Sequence, residues 1–189
     1  MMKTLILNGS TRTDGDTAAL LNAFLEKLEG EVKMVTQDWD ITPCQDCRWC
    51  EHNSGCCIND RMQEVYRYLD ECDNVVVASP VWFSSLSGVA LNIASRLQTR
   101  YKSHIRDGQP LPDKNGVIFL VGARPSTDTV VEKSAKLILR YMNVRRPIIG
   151  IIRSMNTDRV PAAEDEAALR EARLAAIRLN DEYKNRMDL

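Results

Sequence analysis

The sequence predicts an α/β fold, in which an open parallel β-sheet is covered by helices on both faces. Short apolar runs with the length of strands alternate along the chain with longer segments of helical period. One of these runs, Val75 to Ala78, is continuously apolar, which is typical of a strand buried on both faces. Strands and helices that alternate in this way form a parallel sheet, because each crossover helix returns the chain to the same edge.

Five strands and five helices are predicted in alternation. Each helix is indicated by apolar residues three and four positions apart, as in Leu21, Phe24 and Leu25. Asn59 or Asp60 is expected to cap the second helix. The connections 37–59 and 102–115 are long for a compact domain, and such loops are often functional. The predicted strands are 3–8, 32–36, 74–79, 116–122 and 147–153, and the helical faces lie within 21–28, 62–69, 89–97, 135–142 and 164–186.

The length and charge of the chain limit the functions it can have. A chain of 189 residues suffices for one domain, 1–189, whose core needs no cross-links. Lys and Arg number 25 against 26 Asp and Glu, so the net charge of -1 gives no electrostatic basis for binding nucleic acid or an anionic membrane. The start, MMKTLILNGS, has too few apolar residues for a signal peptide or a membrane span. We therefore expect a soluble cytoplasmic protein that binds a small ligand.

The loop after the first strand, LNGSTRTDGDT at 7–17, has the composition of a phosphate site. Its glycines permit close backbone approach, its hydroxyls and one arginine are donors, and the following helix directs its amides toward the loop. It is not a Walker loop, because Asp16 stands at the lysine position, and not a dinucleotide fingerprint, because Gly9 has no glycine two residues on. The alternative is a plain connecting loop in which Asp16 caps the helix.

Two adjacent aromatic residues follow the third strand. Pro80 is expected to end that strand, and Trp82 and Phe83 come directly after it, at the same edge of the sheet as the first loop. Aromatic rings at this place suit a ligand with a flat ring system. The alternative is that they pack against the next helix, since aromatic side chains often belong to a core.

These segments resemble the flavodoxin-like NAD(P)H-dependent FMN reductases and their iron-sulfur flavoprotein relatives. The resemblance lies in NGSTRTDGDT at 8–17, PCQDCRWCEHNSGCCINDRM at 43–62 and SPVWFSSLSGVALNIASR at 79–96. It implies five parallel strands in the order 2-1-3-4-5, and an FMN whose phosphate, ring and remaining edge are bound by the loops after the first, third and fourth strands. The implied FMN-binding residues are Ser10, Thr11, Arg12, Asp16, Thr17, Pro80, Val81, Trp82, Phe83, Ser84, Gly122, Ala123 and Arg124.

The chain departs from the family pattern at several positions. The family usually has asparagine at position 16, tyrosine at position 82, and aspartates at 61 and 95, where this chain has Asp16, Trp82, Arg61 and Ser95. Tryptophan keeps a ring for stacking. A carboxylate beside a phosphate weakens binding, so we expect Asp16 to turn toward the helix amides as a cap, with Arg12 offsetting its charge.

A cysteine-rich loop at 43–60, here called the cysteine loop, holds five of the six cysteines. The spacing of Cys44, Cys47, Cys50 and Cys56 is compact and of the type that binds iron-sulfur clusters, and the iron-sulfur flavoproteins have a similar segment at this place. A tetrahedral zinc site and a set of free thiols are the alternatives. Cys57 is an additional thiol, and the spacing does not show whether it or Cys56 is the fourth ligand.

The resemblance implies an oxidoreductase that uses NAD(P)H to reduce free flavin, a quinone or another small acceptor. In such an enzyme the cofactor carries the chemistry, so no catalytic side chain is predicted, and backbone donors of 80–84 and 122–123 stabilise the reduced ring. The alternatives are an electron carrier with a 4Fe–4S cluster on the cysteine loop, and a flavin-free regulatory or zinc-stabilised module. The resemblance also implies a homodimer or homotetramer, with the loop 102–115 as a candidate contact.

Overall fold

The computed structural model describes residues 1–107, 112–124 and 129–188. The strands are β1 (Lys3–Asn8), β2 (Glu31–Val35), β3 (Asn74–Trp82), β4 (Ser85–Leu86), β5 (Lys114–Gly122) and β6 (Val144–Met155). The helices are α1 (Asp16–Leu25), α2 (Trp49–His52), α3 (Met62–Glu71), α4 (Gly88–Ser95), α5 (Gln98–Asp107), α6 (Thr129–Tyr141) and α7 (Glu166–Met187), with a short 3₁₀ helix at Ala162–Glu164.

The five long strands form one parallel sheet in the order β2-β1-β3-β5-β6. This order confirms the predicted flavodoxin-like topology. The sheet also has a sixth strand that was not predicted, β4, which pairs antiparallel with the end of β3. With only two residues, β4 is too short to show the alternation by which strands are recognised in a sequence.

Helices cover both faces of the sheet, and neighbouring residues of each strand point to opposite sides. In β1, Leu5 and Leu7 pack with the buried residues of α3, α4 and α6, whereas Ile6 packs with those of α1 and α7. The strands β3 and β5 alternate in the same way, which explains their continuous apolar runs. Among the described residues, no helix combines the length and the apolar character that crossing a membrane requires.

Two predicted boundaries were wrong. Pro80 does not end the third strand, because β3 continues to Trp82 and Pro80 pairs with Val121 of β5. The pairing of β3 with β1 ends at Ala78, so the proline lies where β3 has a partner on one side only, and there its missing N–H is tolerated. The stretch 102–115, expected to be irregular, is helical as far as Asp107, and positions 108–111 lie outside the described residues.

Candidate functional site

The loops after β1, β3 and β5 lie side by side at one end of the sheet, here called the carboxyl edge. The chain leaves β1 for β2 on one side and returns to β3 on the other, so the strand order reverses between β1 and β3. In open α/β sheets, ligands bind in the crevice outside such a reversal. The three loops that carry the predicted FMN-binding residues therefore lie at the edge of the sheet where such folds bind ligands.

Gly9 joins the loop after β1 to the start of α4. Its N–H donates to the carbonyl of Ala78 at 2.7 Å, and its carbonyl accepts from the Oγ of Ser87 at 2.6 Å. A Cβ at position 9 would stand 2.6 Å from that Oγ and 2.9 Å from the Cβ of Ala90, so only glycine fits without displacement. The loop after β1 is thus held to β3 by a backbone hydrogen bond and to the start of α4 by the hydroxyl of Ser87.

Ser87 is a site residue that the sequence analysis missed. It is fully buried, it begins α4 as its N-cap by accepting from the amide of Ala90 at 3.2 Å, and its own N–H donates to the Oγ of Ser79 at 2.9 Å. A serine directly before an apolar helical run is the usual signature of an N-cap, and this signal could have found it. Its position fixes where α4 begins relative to the loop after β1.

The loop after β1 curls around the side chain of Ser10. The Oγ of Ser10 donates to the carbonyl of Arg12 at 3.2 Å and accepts from the Arg12 amide at 3.1 Å. Arg12 is exposed and folds over Gly15, where a Cβ would stand 3.0 Å from its Nε. Gly15 is the N-cap of α1 and supplies no capping side chain, so the first amides of α1 remain available as donors to an anion.

Asp16 does not cap α1, and the expectation that it would do so was wrong. It is the first residue of the helix, and its Oδ1 accepts from the amide of Ala162 at 2.8 Å. Ala162 is buried in the 3₁₀ helix that leads into α7. The carboxylate therefore ties the start of α1 to a segment 146 residues further along the chain. Of the two predicted site threonines in this loop, Thr17 is buried and Thr11 is exposed.

The segment after β3 forms a tight hairpin whose tip is apolar. Val81 pairs with Leu86 and Trp82 with Ser85, so Phe83 and Ser84 form a two-residue turn. Their φ angles are 51° and 59°, in the left-handed region that costs a residue with a Cβ about 1–2 kcal/mol. The Phe83 side chain is fully exposed and that of Trp82 is 51% exposed. The alternative that these rings belong to the core is thus wrong, and the tip offers two aromatic faces to a ligand or partner.

The loop after β5 is held by the connection between β6 and α7. The carbonyl of Gly122 accepts from the amides of Asn156 and Thr157 at 2.8 and 3.0 Å. The carbonyl of Ala123 accepts from the amide of Asp158 at 3.1 Å. Ala123 and Arg124 are exposed at the carboxyl edge. The segment 156–158 was not predicted to support the site, because nothing in its sequence indicates which carbonyls it meets.

The residues at the carboxyl edge fit FMN. Free amides at the start of α1, with Arg12 beside them, suit a phosphate. The hydrogen bonds of Gly9 hold the loop after β1 close to β3 and to the start of α4. The exposed Trp82 and Phe83 provide surfaces for a flat ring. Asp16, the acidic residue in the first turn of α1, is engaged with the amide of Ala162.

The cysteine loop is fastened along α4. The Nδ2 of Asn92 donates to the carbonyl of Ile41 at 2.9 Å, and the amide of Cys44 donates to the Oγ of Ser95 at 3.0 Å. Ser95, which stands where the family usually has aspartate, is thus the acceptor that anchors the first cysteine. The N-cap of α3 is Arg61 rather than Asn59 or Asp60, so that expectation was wrong, although the Oδ1 of Asp60 accepts from the amide of Met62 at 3.0 Å.

A buried ion pair closes the base of the cysteine loop. The guanidinium of Arg96 has no solvent exposure, and it donates to both carboxylate oxygens of Asp60, at 2.6 and 3.2 Å. It also donates to the carbonyls of Thr42 and Ile58 at 2.7 and 3.3 Å, so one side chain holds both ends of the loop. Burial is the largest single effect on the pKa of Asp60 and raises it, but the hydrogen bond and charge of Arg96 and the amides of Thr42 and Met62 together outweigh burial, so the net pKa lies below its ordinary value.

Four thiols surround a cavity of about 40 Å³ under the cysteine loop. The Arg96 guanidinium donates to the Sγ of Cys56 at 3.4 Å, whereas the Sγ of Cys57 lies 3.5 Å from that of Cys47, on the exposed side. Within 1–107, 112–124 and 129–188, no three His, Cys, Asp or Glu residues are arranged closely enough to hold a metal ion. Thiols are the ligands that an iron-sulfur cluster requires, so the residue types present fit such a cluster. Cys56 lines the cavity, whereas Cys57 does not. The thiols that line the cavity are those of Cys44, Cys47, Cys50 and Cys56.

Comparison with known proteins identifies the family. Residues 2–150 match the family described as NADPH-dependent FMN reductase. The chain belongs to this family. This membership confirms the oxidoreductase family to which the three sequence segments pointed.

Curated relatives of this family member are iron-sulfur flavoproteins of archaea. One, from Methanocaldococcus jannaschii, is 31% identical over 127 residues, which are 65% of this chain and 63% of the relative. Another, from Methanosarcina thermophila, is 24% identical over 156 residues, which are 78% of this chain and 76% of the relative. The chain therefore spans less than two thirds of the length of the first relative.

Solved structures show the same fold. An NAD(P)H:quinone oxidoreductase from Methanothermobacter marburgensis superposes with a TM-score of 0.72 at 16% identity, over 95% of this chain and 97% of that protein. An FMN-dependent NADH-azoreductase from Bacillus anthracis, solved in complex with FMN, superposes with a TM-score of 0.66 at 15% identity, over 95% of this chain and 99% of that protein.

Proposed function

We propose that this family member binds FMN at the carboxyl edge and reduces a small acceptor, such as free flavin or a quinone, with NAD(P)H. The observation that carries the proposal is the contact between Gly9 and Ser87, which joins the loop after β1 to the start of α4. This contact supports a site in which a phosphate donor set and an exposed aromatic hairpin lie beside each other at the carboxyl edge. The match to the FMN reductase family and the azoreductase solved with FMN support this assignment.

The chain's own residues would bind and orient the cofactor. The first amides of α1 and the guanidinium of Arg12 would hold the phosphate, with Ser10 keeping the loop curled. The hairpin with Trp82 and Phe83 would lie along the ring, and backbone amides there and at 122–123 would donate to it. When bound, FMN supplies hydride transfer from the nicotinamide and electron transfer to the acceptor. No side chain is assigned as a catalytic acid or base.

The phosphate site is tested by titrating FMN into the Arg12→Ala variant. A hydrogen bond to a charged group is worth about 1.5–3 kcal/mol, so we expect affinity to fall by about tenfold or more. Arg67→Ala is the matched control, because Arg67 is an exposed arginine on α3, away from the three loops. Quenching of flavin fluorescence measures the affinity, and oxidation of NADPH or NADH with added FMN or quinone measures the activity. A wild-type chain that leaves FMN unbound contradicts the proposal, as does equal weakening by both substitutions.

A second candidate function is that of an electron carrier with a 4Fe–4S cluster on the cysteine loop. It is favoured by the cavity that four thiols line and by the Arg96 donor at Cys56, and the curated relatives are named iron-sulfur flavoproteins. A hydrogen bond to a ligand sulfur stabilises the negative charge of a bound cluster. Cys44, Cys47, Cys50 and Cys56 would be the ligands.

Iron and acid-labile sulfide in anaerobically purified protein test this candidate. We expect Cys56→Ser to lose both and Cys57→Ser to retain them, since only the first thiol faces the cavity. Equal loss in the two variants would contradict the assignment of Cys56, and wild-type protein without iron after reconstitution would contradict the cluster.

We also propose that the chain forms the homodimer or homotetramer that the family resemblance implies. Light scattering after size exclusion tests this oligomeric state.

A further inference from the structure

Two exposed thiols of the cysteine loop face each other. The Sγ atoms of Cys47 and Cys57 are 3.5 Å apart, and both side chains are exposed. A disulfide bond is about 2.0 Å long, so closing this gap requires a movement of roughly 1.5 Å. Side-chain rotation and a small loop shift can supply that movement.

The backbone around the two thiols differs in how firmly it is held. Near Cys57, the Nε2 of Gln63 donates to the carbonyls of both neighbouring residues, at 2.9 and 2.8 Å, so this sulfur is carried on a fastened segment. Cys47 lies between Asp46 and Arg48, whose φ angles are 48° and 59°. Two left-handed residues with side chains in one turn are energetically costly, and such strain occurs mainly where a segment has a functional conformation.

Two of the other thiols, those of Cys56 and Cys72, have contacts elsewhere. Cys56 accepts from Arg96 and lines the cavity, and Cys72 is buried beneath α3 with its Sγ donating to the carbonyl of Leu69. Cys57 is the thiol of the cysteine loop that the proposed cluster does not use. Cys57 therefore has no part in the proposed function. It lies in contact with Cys47, which is one of the proposed cluster ligands.

We propose that Cys47 and Cys57 form a redox-active dithiol that low-molecular-weight disulfides oxidise, because both thiols are exposed and adjacent; glutathione disulfide is the probe. One thiolate attacks a sulfur of glutathione disulfide, which forms a mixed disulfide and releases one glutathione thiolate. The second thiolate then attacks the protein sulfur of that mixed disulfide, which forms the Cys47–Cys57 bond and releases the second glutathione. Two protein thiols are oxidised, one glutathione disulfide is reduced to two thiols, and the two thiol protons pass to the released thiolates.

This chemistry and a bound cluster exclude each other at Cys47. A sulfur that ligates iron cannot pair with Cys57, so the disulfide forms in chains whose cysteine loop holds no cluster. The proposal does not depend on FMN binding. Its failure and the failure of the proposed reductase function are therefore separable, because one is read from protein mass and the other from flavin titration.

The full-length chain is first freed of iron with a chelator and reduced. After removal of the reductant it is exposed to glutathione disulfide, and the remaining thiols are alkylated. Relative to the fully reduced and alkylated chain, we expect wild-type protein to carry two fewer alkyl groups, as one disulfide requires, and to yield a cross-linked peptide pair that joins Cys47 to Cys57. Cys57→Ser should instead gain one glutathione on Cys47, and Cys47→Ser should gain one on Cys57. Cys56→Ser is the matched control and should still form the disulfide.

Three results would overturn the proposal. The first is a cross-link in wild-type protein that joins any other pair of cysteines. The second is stable glutathione on both thiols without a cross-link. The third is disulfide formation that is lost in Cys56→Ser but retained in Cys57→Ser. Near- and far-ultraviolet circular dichroism of each reduced variant shows that it is folded before the exchange is measured.

Discussion

Replacement of Asp60 by asparagine should destabilise the protein strongly, because it leaves the buried guanidinium of Arg96 without its counter-charge. The Arg96 side chain has no solvent exposure and that of Asp60 is 9% exposed, so water cannot replace the carboxylate. Breaking a buried ion pair from one side costs about 3–5 kcal/mol. Asparagine retains an acceptor for one of the two backbone amides that bind Asp60, those of Thr42 and Met62. We therefore expect the lower end of that range, about 3 kcal/mol.

The free energy of unfolding is measured by urea denaturation and by thermal melting. For a chain of this size, each kcal/mol shifts the melting temperature by about 2–4 °C, so a loss of about 3 kcal/mol corresponds to roughly 6–12 °C. Asp70→Asn is the matched control, because Asp70 pairs with Arg100 at 2.6 Å but is 47% exposed. An exposed pair contributes about 0–1 kcal/mol. If the two substitutions cost the same, the pair at the base of the cysteine loop does not stabilise the fold in the way argued.

Three further predictions follow from contacts of single residues. Because the pKa of Asp60 is lowered on folding, its stabilisation is present above its ordinary value of 3.8 and is lost as pH falls through the lowered pKa. The difference in urea midpoint between wild type and Asp60→Asn should hence be constant near neutral pH and should become smaller as the pH falls. A difference that grows with acid would contradict this. Gly9→Ala should cost about 1–3 kcal/mol in urea unfolding and weaken FMN binding, because its Cβ would stand 2.6 Å from the Ser87 Oγ. Asp16→Asn should leave stability almost unchanged, since an amide oxygen still accepts from Ala162, and should tighten FMN binding by roughly two- to fivefold in fluorescence titration. Loss of FMN binding in that variant would show that the carboxylate itself is needed.

Local patterns in the sequence predicted most of the fold. The alternation in β1, where Leu5 and Leu7 face one layer and Ile6 the other, follows from the two-residue period of a strand. The spacing of apolar residues indicated the longer helices for the same kind of reason. The short β4 was missed because two residues show no period, and Pro80 was misjudged because strand pairing on each side of it depends on distant residues.

The composition of the candidate site was also predictable, whereas its connections were not. Glycine, hydroxyl and arginine residues in one loop, and two aromatic residues in another, are visible to a reader of the sequence. The partner of Asp16 is 146 residues away, and the amides that hold Gly122 come from the end of β6. Such contacts leave no periodic signal, because they depend on where separate loops meet in space.

The sequence by itself determined the parallel sheet, the phosphate-type loop and the set of thiols, since each depends on residue types within a few positions of one another. Only the tertiary structure decided which thiol faces the cavity. Arg96, the residue that follows α4, reaches Cys56, 40 residues earlier, and leaves Cys57 opposite Cys47. Two adjacent cysteines are equivalent in a sequence, and they become distinct when a buried charge from another element lies beside one of them.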